Sequence, residues 1–287
     1  MIVKKKILFI SSHPMSIISF MLPHIKILSF YFEIYVVTNN GCLDALANCD
    51  VKITVNSLPI VRKVNPLSDL KVLWHLFRFL QKNNFDAVHT ITPKAGLIGM
   101  LASLMVHTPI RIHSFTGQVW AVENGCKRWL LKFLDKVIVK CATDVLVDSS
   151  SQKRFLVKEG VVDNLGASVL GPGSICGVDI SRYRPNLEVR AAVRAKLNIP
   201  PGSFVCLYLG RLTHDKGILD LSVAFRSVAL KHPRIVLVIV GPDEEKIYAK
   251  VIDVINPLSS RIRRVGYTLE PEAFMQAADL FCLPSYR

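Results

Sequence analysis

The stretch FVCLYLGRLTHDKG, residues 204–217, carries the clearest signal of fold and ligand chemistry in the sequence. Its first six residues, Phe204–Leu209, are apolar and predict a buried strand, and a helix-length segment follows the loop. Gly210 lets the chain turn, Arg211 offers a planar fork of donors suited to a diphosphate, and Lys216 adds a point charge. A helix N-terminus also attracts anions. The loop is therefore predicted to clamp a diphosphate, and a surface loop with two solvated cations is the alternative.

Short apolar runs alternate with helix-length segments on both sides of this stretch, a pattern typical of a parallel sheet covered by helices. The predicted strands are Val3–Ile10, Ile34–Thr38, Val51–Val55, Ala87–Ile91, Ile110–Phe115, Asp144–Val147, Phe204–Leu209, Ile235–Val240, Ile262–Val265 and Leu280–Leu283. The predicted helices are Ser16–Phe30, Ser68–Gln81, Ala95–Val106, Gly125–Cys141, Ser150–Lys158, Ile218–Lys231, Glu244–Ile255 and Pro271–Ala277. We expect an α/β fold of two Rossmann-like, doubly wound parallel-sheet domains.

The length of 287 residues is sufficient for two domains. Glycine and proline interrupt the alternation between Gly166 and Pro185 and again at residues 200–202. We expect a first domain over 1–172, a linker over 173–202 and a second domain over 203–287. A doubly wound sheet has about six strands, and only four are predicted in the second domain, which is therefore expected to be incomplete.

The composition excludes several classes of protein. With 51% hydrophobic and 20% charged residues, the chain is neither disordered nor of low complexity. The net charge of +14 favours anionic partners. The seven cysteines form no CxxC pair and the eight histidines are scattered, so neither a disulfide scaffold nor a metal site is predicted. Thiols without a disulfide pattern are typical of a reducing cytoplasm, which predicts a cytoplasmic protein. The apolar runs are too short or too interrupted to cross a membrane, and attachment to one membrane face stays open.

The pattern GR(x)4KG after a strand resembles the donor-phosphate signature of the GT-B glycosyltransferases of family 4. Further segments resemble stretches of the same family: 92–99, 111–120, 173–179, 264–267 and 278–287. Cys176 stands where the family's interdomain stretch has Asn. The first two segments look like those of bacterial surface-polysaccharide members.

The resemblance implies a retaining glycosyltransferase of bacterial surface glycan synthesis, without a metal or another cofactor. It would take a nucleotide-sugar, with UDP as the expected carrier, in its C-terminal half and a saccharide or polyprenyl-diphosphate-linked acceptor in its N-terminal half. The family's motif assigns Gly210, Arg211 and Lys216 to the donor diphosphate. We place Gly241 and Gly266 on the nucleotide side.

After the motif that ends here at Arg287, the family continues with Glu-Gly-Phe and a second Glu, and this sequence contains neither. These carboxylates contact the donor in the family. We therefore expect a truncated glycosyltransferase. A non-catalytic nucleotide- or phosphate-binding remnant of the family is the alternative.

The N-terminal half offers four candidate site residues. His113 is predicted near the end of a strand, facing a cleft, and the resemblance gives either His113 or Thr116 a contact with the donor sugar in the catalytic centre. A structural histidine bonded to the backbone is the alternative for His113, and His89 is predicted to be structural. On the acceptor side, Lys94 begins a helix and either meets the acceptor phosphate or is solvated, and His13 follows the first strand.

The segment Lys127–Lys140 predicts a basic amphipathic helix. Arg128, Lys132, Lys136 and Lys140 recur every four residues beside apolar side chains, as in helices that lie on anionic lipid. The alternative is a helix packed on the sheet with a solvated basic edge. Nucleic acid is not expected as a partner, because the sequence lacks interleaved aromatic and basic residues and any groove-reading motif.

Overall fold

The structure, a computed structural model, describes residues 4–40, 51–60 and 65–286. The chain divides into two compact units, Met1–Gly177 and Val178–Arg287, each of which is an α/β sandwich. The division falls within the predicted linker 173–202. Each unit is described by itself below.

The first unit is built on a seven-stranded, fully parallel sheet with the order β3-β2-β1-β4-β5-β6-β7. Its strands are β1 Lys6–Ile10, β2 Glu33–Thr38, β3 Ile53–Ser57, β4 Ala87–Ile91, β5 Ile110–Phe115, β6 Asp144–Val147 and β7 Ser168–Val169. The strand β7 was not predicted. Its two residues extend the sheet beyond β6, where Leu146 pairs with Ser168.

The described helices of the first unit are Pro14–Phe20, Leu22–Leu28, Pro66–Asn83, Pro93–Met105, Gly125–Cys141 and Ser150–Lys158, and a short 3-10 turn covers Val119–Val122. The single helix predicted over 16–30 is two helices, because Pro23 stands at the start of the second and has no N–H to continue the first. Alternate residues of the central strand β1 pack on opposite faces. Leu8 joins one buried cluster and Phe9 another, so both faces of the sheet are covered.

The second unit is built on a four-stranded parallel sheet with the order β10-β9-β8-β11. Its strands are β8 Phe204–Leu209, β9 Ile235–Val240, β10 Ile262–Val265 and β11 Leu280–Phe281. Its helices are Leu187–Lys196, Ile218–Lys231, Tyr248–Ile255 and Pro271–Ala277, with 3-10 turns at His214–Lys216 and Leu258–Arg261. All six residues of β9 are buried, as expected for an inner parallel strand.

The helix Leu187–Lys196 corrects the predicted linker. The Asn186 side chain caps it by accepting hydrogen bonds from two backbone amides, and Arg194 pairs with Asp279 at 2.7 Å beside the edge strand β11. Residues 178–202 therefore belong to the second unit. The sequence pattern missed this helix because none of its residues is buried and ion pairs hold it in place.

Two further observations concern the chain as a whole. Within the described ranges, no helix is both long enough and apolar enough to span a bilayer. Cys126, Cys141, Cys176, Cys206 and Cys282 are free thiols. The other two cysteines, Cys42 and Cys49, lie outside the described residues.

Candidate functional site

The loop Gly210–Gly217 leaves the carboxyl end of β8 and leads into the helix Ile218–Lys231. Tyr208, the last fully buried side chain before it, donates its hydroxyl proton to the carbonyl of Arg211 at 2.7 Å. Burial raises the pKa of Tyr208 to about 12, so this donor stays neutral. The buried Tyr208 side chain thereby holds the turn in place at the carboxyl edge of the sheet, where ligands bind in open α/β folds.

Three glycines of the second unit, Gly210, Gly241 and Gly266, differ in the space available for a side chain. Gly210 was predicted to let the chain turn, but its φ is not positive and a Cβ there would make only ordinary contacts, the nearest at 3.6 Å. Gly241 has a φ of +136°, and a Cβ on it would lie 1.9 Å from the carbonyl oxygen of Gly210. Gly266 has open space around it. The close approach of two loops therefore depends on Gly241.

Gly217 is a glycine that the sequence analysis did not assign a role. It begins the helix Ile218–Lys231 with a φ of +66°, and a Cβ there would lie 2.0 Å from the carbonyl oxygen of Pro284. The segment that follows β11 is thus held against the N-terminus of this helix. The signal was present in the sequence as the last glycine of GR(x)4KG.

The cations of the loop have partners of different kinds. Arg211 Nη1 lies 2.9 Å from Glu244 Oε2, and both side chains are more than a third exposed. Lys216 Nζ donates to Ser285 Oγ at 3.2 Å. His214 engages Glu245 through both its backbone amide and its ring. The structure thus brings Arg211 and Lys216, both half-buried, into one loop beside a helix N-terminus, an arrangement that can bind an anion.

His113 does not face a cleft, and that prediction is wrong. It is the fourth of six residues in β5 and is 1% exposed, because helices cover both faces of the parallel sheet. Its Nδ1 lies 2.8 Å from the hydroxyl of Thr90, and its ring packs so closely that a Cβ on Gly96 would lie 2.5 Å away. Burial lowers the pKa of His113 to about 3. The residue is a neutral core histidine.

The other candidates of the first unit lie nearer the carboxyl edge of the sheet. Thr116 follows directly after β5 and is half-buried. His13 caps the helix Pro14–Phe20, since its Nδ1 accepts a hydrogen bond from the amide of Met15 at 3.2 Å. Lys94 pairs with Asp69 at 2.7 Å, and 14% of its side chain is exposed, so it is not the solvated lysine of the alternative.

A cavity of about 160 Å³ lies within the first unit. Its lining is mainly apolar and includes His24, His89 and Ser114. His89 lies 2.8 Å from the Ser114 hydroxyl, and burial lowers its pKa to about 4. His89 is half-buried and bonded to Ser114, and its structural role stays a prediction.

Comparison with known families covers both units. The family model described as Glycosyl transferase 4-like domain matches residues 32–173, and the model described as Glycosyl transferases group 1 matches residues 189–287. The chain belongs to the GT-B glycosyltransferases of family 4. The loop Gly210–Gly217 lies within the second matched region.

Two glycosyltransferases are similar to this chain in sequence. The capsular polysaccharide biosynthesis glycosyltransferase CapM of Staphylococcus aureus is 28% identical over 89% of this chain and 66% of its own length. The UDP-Gal:alpha-D-GlcNAc-diphosphoundecaprenol alpha-1,3-galactosyltransferase of Escherichia coli is 27% identical over 79% of this chain and 58% of its own length. The chain thus spans less than two thirds of the length of these relatives.

Solved structures show the same fold. Anabaena HepE, solved in complex with UDP and glucose, superposes with a TM-score of 0.74 over 98% of this chain and 74% of its own length, at 19% identity. WaaG, a glycosyltransferase involved in lipopolysaccharide biosynthesis, gives a TM-score of 0.69 over 98% of this chain and 75% of its own length, at 15% identity. The GT-B glycosyltransferase architecture predicted from the sequence is therefore confirmed.

Proposed function

We propose that this chain provides the donor loop and the acceptor-side unit of a retaining glycosyltransferase of bacterial surface-polysaccharide synthesis. It would move a sugar from a UDP-linked donor to a polyprenyl-diphosphate-linked or saccharide acceptor. The observation that carries the proposal is the loop Gly210–Gly217, which presents Arg211 and Lys216 at the start of the helix Ile218–Lys231.

The chemistry of the proposed reaction follows from this arrangement. When the bond between the sugar and the diphosphate breaks, negative charge develops on the leaving diphosphate. A guanidinium fork, an ammonium group and a helix N-terminus stabilise such charge without reorganisation. In the first unit, Thr116 remains our candidate for contact with the donor sugar because it lies at the carboxyl edge of its sheet, where ligands bind.

The relatives support the choice of substrates. The galactosyltransferase of Escherichia coli is named for a UDP-sugar donor and a diphosphoundecaprenol-linked acceptor, and CapM is named for capsular polysaccharide biosynthesis. HepE was solved with UDP and glucose. We extend these ligands to this chain as part of the proposal.

Titration calorimetry with UDP tests the donor loop. Arg211→Ala should weaken UDP binding by roughly 10- to 100-fold, because a charge-assisted hydrogen bond contributes about 1.5–3 kcal/mol. Lys216→Ala should weaken it less. Arg226→Ala is the matched control, since Arg226 is an exposed cation of the same unit on the helix that follows the loop. Equal affinities in the Arg211 and Arg226 variants would refute the assignment.

Transfer is tested separately from binding. The chain is incubated with UDP-sugars and a polyprenyl-diphosphate-linked saccharide, and the anomeric configuration of the product is read by NMR. Retention of configuration is expected. UDP binding that depends on Arg211 but never leads to transfer would favour the alternative, a non-catalytic nucleotide-binding module.

The helix Gly125–Cys141 is proposed to contact anionic lipid at the cytoplasmic face of the membrane, but its basic stripe differs from the prediction. Arg128 and Lys132 both pair with Glu159, at 3.0 and 2.7 Å, so they are not free to meet lipid. Lys136 and Lys140 are exposed. The stripe is therefore split into a paired half and a half open to solvent.

Apolar side chains carry the lipid contact in this proposal. The exposed ones on this helix are Trp129, Leu130 and Phe133, of which Trp129 is 68% exposed and stacks on Phe133 with 5.8 Å between ring centroids. An exposed aromatic pair beside two open lysines is the composition of an interfacial helix.

Vesicle sedimentation tests this contact. Trp129→Ala/Phe133→Ala should release the chain from vesicles that contain phosphatidylglycerol. The control is Phe30→Ala/Tyr31→Ala, an aromatic pair that is more exposed, at 75% and 69%, and lies just after the helix Leu22–Leu28 of the same unit. Equal release by both pairs, or no binding of the unmodified chain, would contradict the proposal.

A further inference from the structure

The backbone of the loop that follows β9 contacts the backbone of the loop Gly210–Gly217. Gly241 permits this approach, as its neighbour is the carbonyl of Gly210. Two residues on, the Asp243 carboxylate accepts hydrogen bonds from the amides of Ile247 and Tyr248, at 2.9 and 3.2 Å. The loop is thus tied at both ends, and it holds the two consecutive residues Glu244 and Glu245 against the neighbouring loop.

The two carboxylates engage groups that bind anions. Glu244 Oε2 lies 2.9 Å from the guanidinium of Arg211. Glu245 Oε2 accepts a hydrogen bond from the His214 amide at 2.9 Å and lies 2.6 Å from the His214 ring. Both contacts are solvent-exposed, with 38–59% of each of the four side chains accessible, so water and dissolved anions can reach them.

A guanidinium, a backbone amide and an imidazole are the groups that hold phosphate oxygens in proteins. Carboxylate oxygens accept hydrogen bonds from the same groups in the same geometry. In this loop, the chain's own carboxylates therefore stand where phosphate oxygens of a donor would bind. A diphosphate that binds Arg211 through Nη1 would have to displace Glu244 from that atom.

We propose that Glu244 and Glu245 set the donor affinity of this loop by competing with the donor's phosphate groups for Arg211 and His214, so that donor binding is an exchange of anions. This inference rests on the proposed donor site. The opposite role is that Glu244 orients Arg211 for the donor. The two roles predict opposite signs: removal of the carboxylate strengthens donor binding if it competes and weakens binding if it orients.

The test is titration calorimetry with UDP on Glu244→Gln, Glu245→Gln and the double variant. Glutamine keeps the shape and removes the charge. Exposed ion pairs are weak, so Glu244→Gln should bind UDP about two- to fivefold more tightly, and the double variant more tightly still. Glu188→Gln, an exposed glutamate of the same unit, controls for the change in net charge and should leave the affinity unchanged.

Uridine provides an internal control because it has no phosphate. Its affinity should be the same in the unmodified chain and in all three variants, whereas inorganic pyrophosphate should follow UDP. Weaker UDP binding by Glu244→Gln would overturn the inference in favour of the orienting role. An equal gain in Glu188→Gln would also overturn it, since the effect would then be one of net charge.

The inference and the proposed function fail in different ways. If Arg211→Ala abolishes UDP binding and Glu244→Gln does not improve it, the donor site stands and the exchange is refuted. If UDP binds the unmodified chain too weakly to measure, competition by the carboxylates predicts that binding of UDP to the double variant becomes measurable by calorimetry. Absence of binding in both proteins would refute the donor site and the exchange together.

Discussion

The carboxyl edges of the two sheets carry polar side chains of opposite character. In the first unit, the Ser12 hydroxyl bonds to the Thr92 hydroxyl, and His113, which is buried and neutral, bonds to the Thr90 hydroxyl. In the second unit, Arg211 and His214 are exposed and bonded to carboxylates. Buried polar groups are satisfied within the fold and hold it together, whereas exposed ion pairs can exchange a partner for a ligand.

Gly241→Ala gives the largest expected effect. The contacts of Arg211 and His214 with Glu244 and Glu245 can form only while the loop after β9 lies against the loop Gly210–Gly217. A Cβ 1.9 Å from the Gly210 carbonyl, at a φ of +136°, forces the loops apart. We expect the second unit to lose roughly 3 kcal/mol or more of its free energy of unfolding and to bind UDP weakly. Hydrogen exchange of the amides of β8 and β9 measures this unit alone.

Gly266→Ala is the control for that change. The same methyl group is added after the neighbouring strand β10, where nothing lies within 4 Å of it. Its effect should stay within about 0.5 kcal/mol. Similar losses at both positions would mean that the contact between Gly241 and Gly210 does not organise this edge.

His113→Gln tests whether the buried histidine of the first unit makes the stability of the fold depend on pH. Because the pKa of His113 is about 3 in the folded chain and ordinarily about 6.5, the unfolded chain takes up a proton that the folded chain does not. The folded state therefore loses stability as the pH falls below 6.5, by roughly 2 kcal/mol between pH 7 and pH 5. The variant should lack this component when urea unfolding is compared across pH.

His75→Gln serves as the control for this pH series, because His75 is exposed on the helix Pro66–Asn83. It should keep the slope of the unmodified chain. The His113 variant will be less stable at pH 7, so the informative quantity is the slope and not the stability. Parallel pH profiles for all three proteins would show that His113 is not the neutral core residue described above.

The sequence predicts the elements of the fold that leave a local pattern, such as a short apolar run. The strands Ala87–Ile91 and Phe204–Leu209 have the predicted bounds because each is a short run bounded by polar residues or glycine. The helix Leu187–Lys196 was missed because its support comes from Asp279, more than eighty residues away. Long-range ion pairs leave no periodic signal in the sequence.

The same limit applies to the candidate site. A motif placed Arg211 and Lys216 in one loop, and both are there. No local pattern connects Arg211 with Glu244, 33 positions on, or Lys94 with Asp69, which lies on the preceding helix. The sequence pattern predicted the strand that holds His113 but not the burial of its side chain, which depends on close packing against Gly96.

The smallest expected effect is a difference in coupling energy between two ion pairs, one in each unit, and it compares the two sheet edges directly. Lys94 and Asp69 lie 2.7 Å apart with 14% and 22% of their side chains exposed, whereas Arg211 and Glu244 lie 2.9 Å apart with 38% and 39% exposed. Water screens the second pair more strongly. Double-mutant cycles with Lys94→Met and Asp69→Asn should give a coupling energy of about 1 kcal/mol, and cycles with Arg211→Met and Glu244→Gln less than about 0.5 kcal/mol.

The order of these two energies matters more than their size. A weak coupling between Arg211 and Glu244 lets a diphosphate, with more charge and more acceptor oxygens than a carboxylate, displace Glu244. A coupling as strong as that of Lys94 and Asp69 would make the pair structural, and a donor would then have to bind elsewhere in the loop. Urea unfolding of the four variants of each cycle, followed by hydrogen exchange in the corresponding unit, decides between these outcomes.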